Sequence, residues 1–155
     1  MNTHESYVSI ETAKLLKQAG FNWNTFCCYR NGSDKVERCH VDFNWNMDKE
    51  DYEKEGSDNL FHDFITSDEK GLVVDDFVSA PTLDVAHRWF REEKGLVIQI
   101  DFLRHNKWWY LILQGERVDT LDNPRVKHDT FEECLDAGVN HCARKILKNM
   151  GVITV

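Results

Sequence analysis

Apolar side chains recur along this chain with two periods, and each period predicts an element. Ile10, Ala13 and Leu16, joined by Leu15, fall at helical spacing behind Ser9, which can cap their first turn. Gly20 follows the last turn, and Phe21 is placed to fold back as the apolar contact of a left-handed cap. The segment TFCCYR-NGSD-KVERCHVDF predicts strands near 25–30 and 35–43 joined at Asn31-Gly32, two residues that tolerate positive φ. Loops of two and of four residues both fit there. Pro81 and Thr82 open a second helix that Gly95 closes, with Leu83, Ala86 and Phe90 as its stripe and Val85 and Trp89 adjoining. Asp84, His87, Arg88 and Arg91 fall on its opposite, solvent side, where Asp84 can reach Arg88 one turn on. TFEE at Thr130 has the form of a capping box, opening a last helix to about Met150 with Phe131, Cys134, Leu135, Gly138, Cys142 and Ile146 as its buried stripe.

The stretch KGLVIQIDFLRHNKWWYLILQGE, residues 94–116, reads as a β-hairpin. Loops of two or four residues across Arg104–Lys107 both set Leu103 opposite Trp108. They then set Phe102 opposite Trp109, Ile100 opposite Leu111, and Ile98 opposite Leu113. That apolar face is expected to be the core, because a one-residue slip moves every side chain to the other side. The second face then carries Val97, Gln99, Asp101 and Leu103 against Trp108, Tyr110, Ile112 and Gln114. Three readings compete for it: a face covered by the chain itself, a protein-binding surface anchored by Trp108 and Tyr110, or a small-ligand pocket.

These elements predict an α+β fold, an antiparallel sheet of four or five strands packed on one face by about three helices. At 155 residues the chain is expected to be a single domain, 1–155, large enough to need no staples. Within it, residues 44–76 break the pattern and read as an acidic insertion or arm. The net charge of −8 is concentrated there: Asp42 to Asp76 holds twelve Asp or Glu against three Lys. Elsewhere Lys and Arg are not clustered, which argues against direct binding to a phosphate backbone. The longest apolar run, WWYLIL, is far short of a membrane span, and the polar start lacks the pattern of an export signal. A cytoplasmic location and five free thiols are expected.

Motifs that carry chemistry fail on inspection. DYEKEGSDNLFH can be laid on a calcium loop, but His62 stands where a bidentate Glu is required. Cys27, Cys28, Cys39 and His40 do not converge in any hairpin register, since neighbouring strand residues point to opposite faces. His141 and Cys142 are about 100° apart on a helix and poorly placed to pair. No glycine-rich phosphate loop and no GxSxG elbow occurs, so neither a metal, a cofactor nor a set of catalytic residues is assigned.

YVSIETAKLLKQAGF, APTLDVAHRWFREEKG, WWYLIL and TFEECLDAGVNHCARKIL, in that order, resemble a group of small uncharacterised proteins of gut Bacteroides-type genomes and their phages or mobile elements. The likeness spans both ends and the 80–115 core and omits the acidic segment. That group has no assigned activity, so no functional residue is carried over; the resemblance implies an intracellular accessory role. The functional expectation is therefore a small non-enzymatic binding protein that meets a protein partner, one of basic character, through Trp108, Tyr110, Asp101 and Gln99, the acidic segment, or both. The alternatives are a hydrolase-like enzyme using Asp101, Tyr110 and a histidine in a pocket on that face, and a self-associating structural protein.

Overall fold

The computed structural model describes residues 6–30, 33–47, 77–115 and 120–152. Helix α1 (Ile10–Ala19) starts where Ser9 accepts the Thr12 N–H and ends at Gly20, whose φ of 97° is left-handed. Gly20 donates to the Lys17 carbonyl and Phe21 to the Leu16 carbonyl, the paired bonds that satisfy a helix C-terminus. Phe21 is buried as a result. Helix α2 (Leu83–Trp89) is capped by Thr82 and widens into one π-helical turn, Phe90–Lys94, before Gly95 turns the chain at φ 65°. Helix α3 (Phe131–Asn149) is capped by Thr130.

The strands are β1 (Thr25–Arg30), β2 (Glu37–Phe43), β3 (Phe77–Ser79), β4 (Leu96–Leu103), β5 (Lys107–Gln114) and β6 (Thr120–Asp122). The described residues adopt the expected α+β fold, with antiparallel strands and three main helices. Its described strands are shared between two sheets of three, ordered β2-β1-β3 and β4-β5-β6. No helix of the described residues is long and apolar enough to cross a membrane.

Two cores follow from the alternation of β1. Cys27 and Tyr29 face the main core with Phe21, Ala86, Trp89, Phe90, Ile98, Ile112 and the inner stripe of α3. Cys28 faces the other way, into a smaller cluster with Phe43, Trp45, Met47 and Phe77. Trp45 completes that cluster by donating its Nε1–H to the Thr25 carbonyl at 2.9 Å. Of the expected 44–76 arm, Trp45 and Met47 thus belong to a core; residues 48–76, with the calcium-like loop, lie outside the described residues. The stripe of α3 is also rotated from the expected one: Val139, Ala143 and Leu147 are buried, while Phe131 is 42% exposed.

The β4–β5 register corrects the expectation by one residue. Phe102 faces Trp108, Ile100 faces Tyr110 and Ile98 faces Ile112. The turn is three residues long, Arg104–Asn106, with His105 and Asn106 both at positive φ. An odd loop inverts the parity that even loops share. Trp108 and Tyr110 therefore lie on the helix-facing side with Ile98 and Ile112, and Trp109 lies on the other.

Two contacts seat the helices on this sheet. At Gly138 a Cβ would meet Ile98 Cγ2 at 2.7 Å, so only glycine lets α3 lie this close to β4. His87 corrects a second expectation: it is half-buried, and its Nε2 accepts the Ile98 N–H at 3.0 Å. Its single proton must then sit on Nδ1, where the Arg91 guanidinium 3.2 Å away is a repulsive neighbour. Burial, followed by Arg91, lowers the His87 pKa to about 4 against a small opposing pull from Asp84.

Two outcomes follow from this packing. Gly138→Ala is expected to destabilise the protein by on the order of 1 kcal/mol or more in urea titration, although alanine is the better helix former. Unchanged or raised stability would show that α3 does not press on Ile98. Because the folded chain binds the His87 proton less readily than the unfolded chain, this residue's contribution is complete above its ordinary pKa of 6.5. It is lost as pH falls from there toward about 4. His87→Gln, whose side chain can still accept the Ile98 N–H, should flatten stability against pH in that window; an unaltered slope would contradict the tie.

Candidate functional site

The corrected register brings four polar side chains from three elements together. β5 turns Tyr110 toward α3. β6 pairs Asp122 with Ile112, so Asp122 leaves the sheet on that same side. α3 presents His141 and Lys145 one turn apart. The result is a continuous chain. The Tyr110 hydroxyl lies 2.9 Å from His141 Nδ1, His141 Nε2 lies 3.2 Å from Asp122 Oδ2, and Lys145 Nζ donates to that same Asp122 oxygen at 2.8 Å.

The electrostatics give each member a part. The bond from Lys145, followed by that from His141, holds the Asp122 carboxyl below the usual carboxylate range. Asp122 is therefore an anion that accepts from both neighbours, and His141 must carry a proton on Nε2 to meet it. When the ring carries that one proton alone, Nδ1 offers a lone pair to the Tyr110 hydroxyl, which donates to it. Burial, and after it the nearby Cys142, Cys134 and Asp122, pushes the Tyr110 pKa up to about 12, so the phenol keeps its proton.

This chain forms one wall of a cleft of about 720 Å³. His128 stacks on Tyr110, ring centroids 6.2 Å apart, and is pinned there by a two-way backbone bridge with Trp108 at 2.9 and 2.7 Å. The His128 Nε2 is buried without a hydrogen-bond partner among the described residues. Also on α3 and in the same lining, Asp136 accepts the Ser9 N–H and hydroxyl at 2.8 and 3.0 Å, and Asn140 bridges Thr12 and Arg144. The lining carries both signs: Arg144, Lys145 and Lys148 against Glu11, Asp122 and Asp136.

Of the four residues assigned to a binding face, only Tyr110 lines this cleft. Trp108 is half-buried at the edge of the core, with its ring 4.8 Å from Phe102 and 5.5 Å from Phe131. Gln99 and Asp101 lie on the opposite side of the sheet, where Gln99 donates to Asp101 at 3.2 Å. The proposed aromatic contact patch is therefore not a single surface. Asp122, His128, His141 and Lys145 were not read from the sequence as a site. The helical spacing of His141 and Lys145 was a usable signal, whereas Asp122 joins them only through the pairing of β6. Cys134 and Cys142 are buried, and burial pushes both thiols up, Cys134 to about 11. No group of three or more His, Cys, Asp or Glu among the described residues could hold a metal ion.

The assigned tautomer can be checked directly. Long-range ¹H–¹⁵N spectra at mildly alkaline pH are expected to show His141 protonated on Nε2; a ring protonated on Nδ1 would contradict the relay as drawn. No protein-family model, no curated protein and no solved structure matches this chain.

Proposed function

We propose that this protein is a small-molecule binding protein whose working site is the cleft between α3 and the β5–β6 edge. The observation that carries the reading is the Tyr110–His141–Asp122–Lys145 chain on the cleft wall. Half-buried polar groups held by one another in a fixed order present a preset pattern of donors and acceptors to whatever enters. Of the lining charges, Arg144 and Lys148 on α3 are the ones that would receive an anionic end of such a ligand, a carboxylate or a phosphate monoester.

This keeps the expected binding role and moves it from the sheet face to the cleft. It also moves the partner from a basic protein to a small polar molecule. A second reading, an enzyme, draws on the same relay. An imidazole set between a carboxylate and a phenol that keeps its proton is an arrangement for moving protons. It is not one for nucleophilic attack: the Ser9 hydroxyl is taken up by the α1 cap and Asp136, and the nearby thiols are held protonated by burial.

The test is titration of the ¹⁵N-labelled chain with a panel of small carboxylates and phosphate monoesters. At least one is expected to shift the amide signals of residues 110, 128, 141 and 145 as a group, with binding weakened about tenfold or more in His141→Gln. If none of the panel perturbs these positions, or the shifts map to another part of the fold, the cleft is not a binding site for anionic small molecules.

A further inference from the structure

Two thiols stand together on the β1–β2 hairpin, outside the cleft. Cys28 Sγ and Cys39 Sγ are 3.8 Å apart. Cys28 is fully buried in the smaller core, and Cys39 is half-buried against it. The next position on β1, Cys27, faces the main core and so cannot compete for the same partner.

The backbone here has slack. The register runs Cys28↔Glu37 and Cys27↔Arg38, then resumes only at Thr25↔Phe43, so a longer run of β2 faces a shorter run of β1. Cys39 is the first residue inside that irregular stretch. A bulged strand is bent and locally unpaired, so it can yield the one to two ångströms that bring two sulfurs to the roughly 2.05 Å of a disulfide.

We propose that Cys28 and Cys39 are a site of reversible oxidative modification, a dithiol that hydrogen peroxide converts to a disulfide linking β1 to β2. Cys39 reacts first because it is the one that solvent reaches. Its thiolate attacks a peroxide oxygen, the O–O bond breaks, and the departing hydroxide takes up a proton as water, leaving a sulfenic acid. Cys28 then attacks the Cys39 sulfur, the S–S bond forms, the S–O bond breaks, and a second water leaves with the Cys28 proton. Two thiols lose two electrons in all, and one peroxide is reduced to two waters. A small dithiol reverses the change by exchange. Burial pushes both thiols up, and the Cys28 S–H shared with Cys39 counters part of that effect at Cys39. The reaction is accordingly slow, suited to sustained oxidant rather than to turnover.

The experiment treats the folded full chain with hydrogen peroxide, then denatures, alkylates and weighs it. Three of the five thiols are expected to remain alkylatable, with a mass loss of two hydrogens. A peptide containing Cys28 should be joined to one containing Cys39, and dithiothreitol should undo the link. Cys27→Ser should still form it, while Cys39→Ser should keep its four remaining thiols at the same dose. Five surviving thiols, a bond to Cys27, or Cys39 oxidised to sulfinic acid beside a free Cys28 would each overturn the proposal. If Cys39→Ser does not fold, the peptide map of the unsubstituted chain decides the matter alone.

Discussion

The parity of one turn governs what the rest of this molecule can do. Arg104–Asn106 is a three-residue connection in which His105 and Asn106 both take left-handed backbone angles, a conformation that histidine and asparagine adopt more readily than most residues. An odd connection places even-numbered residues of β4 opposite even-numbered residues of β5, so Ile98, Tyr110 and Ile112 lie together beneath α3. Burial alone does not select this arrangement. The alternative would place Trp109, Leu111 and Leu113 in the same position, at roughly the same 1.5–3 kcal/mol for each large apolar side chain. A buried phenol needs a partner, and in the observed register Tyr110 finds one in His141.

From that point the site assembles by consequence. Tyr110 brings its hydroxyl to α3, the pairing of β6 delivers Asp122 to the same side, and the helical repeat of α3 adds Lys145 one turn beyond His141. The missing Cβ of Gly138 allows the close helix–sheet approach on which those short bonds depend. Packing and polar chemistry are thus coupled at opposite ends of one contact surface: Ile98 holds the helix close, and Asp122 fixes the ring that the closeness makes available. The Cys28–Cys39 pair belongs to a separate small core, so chemistry there acts on the other sheet.

Helix limits were legible because caps are local chemistry. Ser9, Thr82 and Thr130 each accept a first-turn N–H, and Gly20 and Gly95 supply left-handed endings, all within a few residues of the signal. The extents of β1, β2, β4 and β5 were legible for a similar reason, since alternation is read within one segment; the three-residue strands β3 and β6 are too short to show it. The register was not. Both faces of the β4–β5 hairpin carry large apolar residues, and Arg-His-Asn contains no glycine to announce two left-handed positions in succession. The site was illegible for a further reason: His141 and Lys145 are neighbours in sequence, but Asp122 and Tyr110 join them only through strand pairings at long range. His87 was misplaced because helical spacing puts it on the polar side, whereas β4 reaches around to donate its Ile98 N–H.

Cross-strand nuclear Overhauser effects between backbone protons of β4 and β5 test the central point most directly. The expected result places Ile100 across from Tyr110 and Phe102 across from Trp108. Contacts of Ile100 with Leu111 and of Phe102 with Trp109 would contradict it; Tyr110 would then face away from His141, and the cleft would lose the wall on which the functional reading depends.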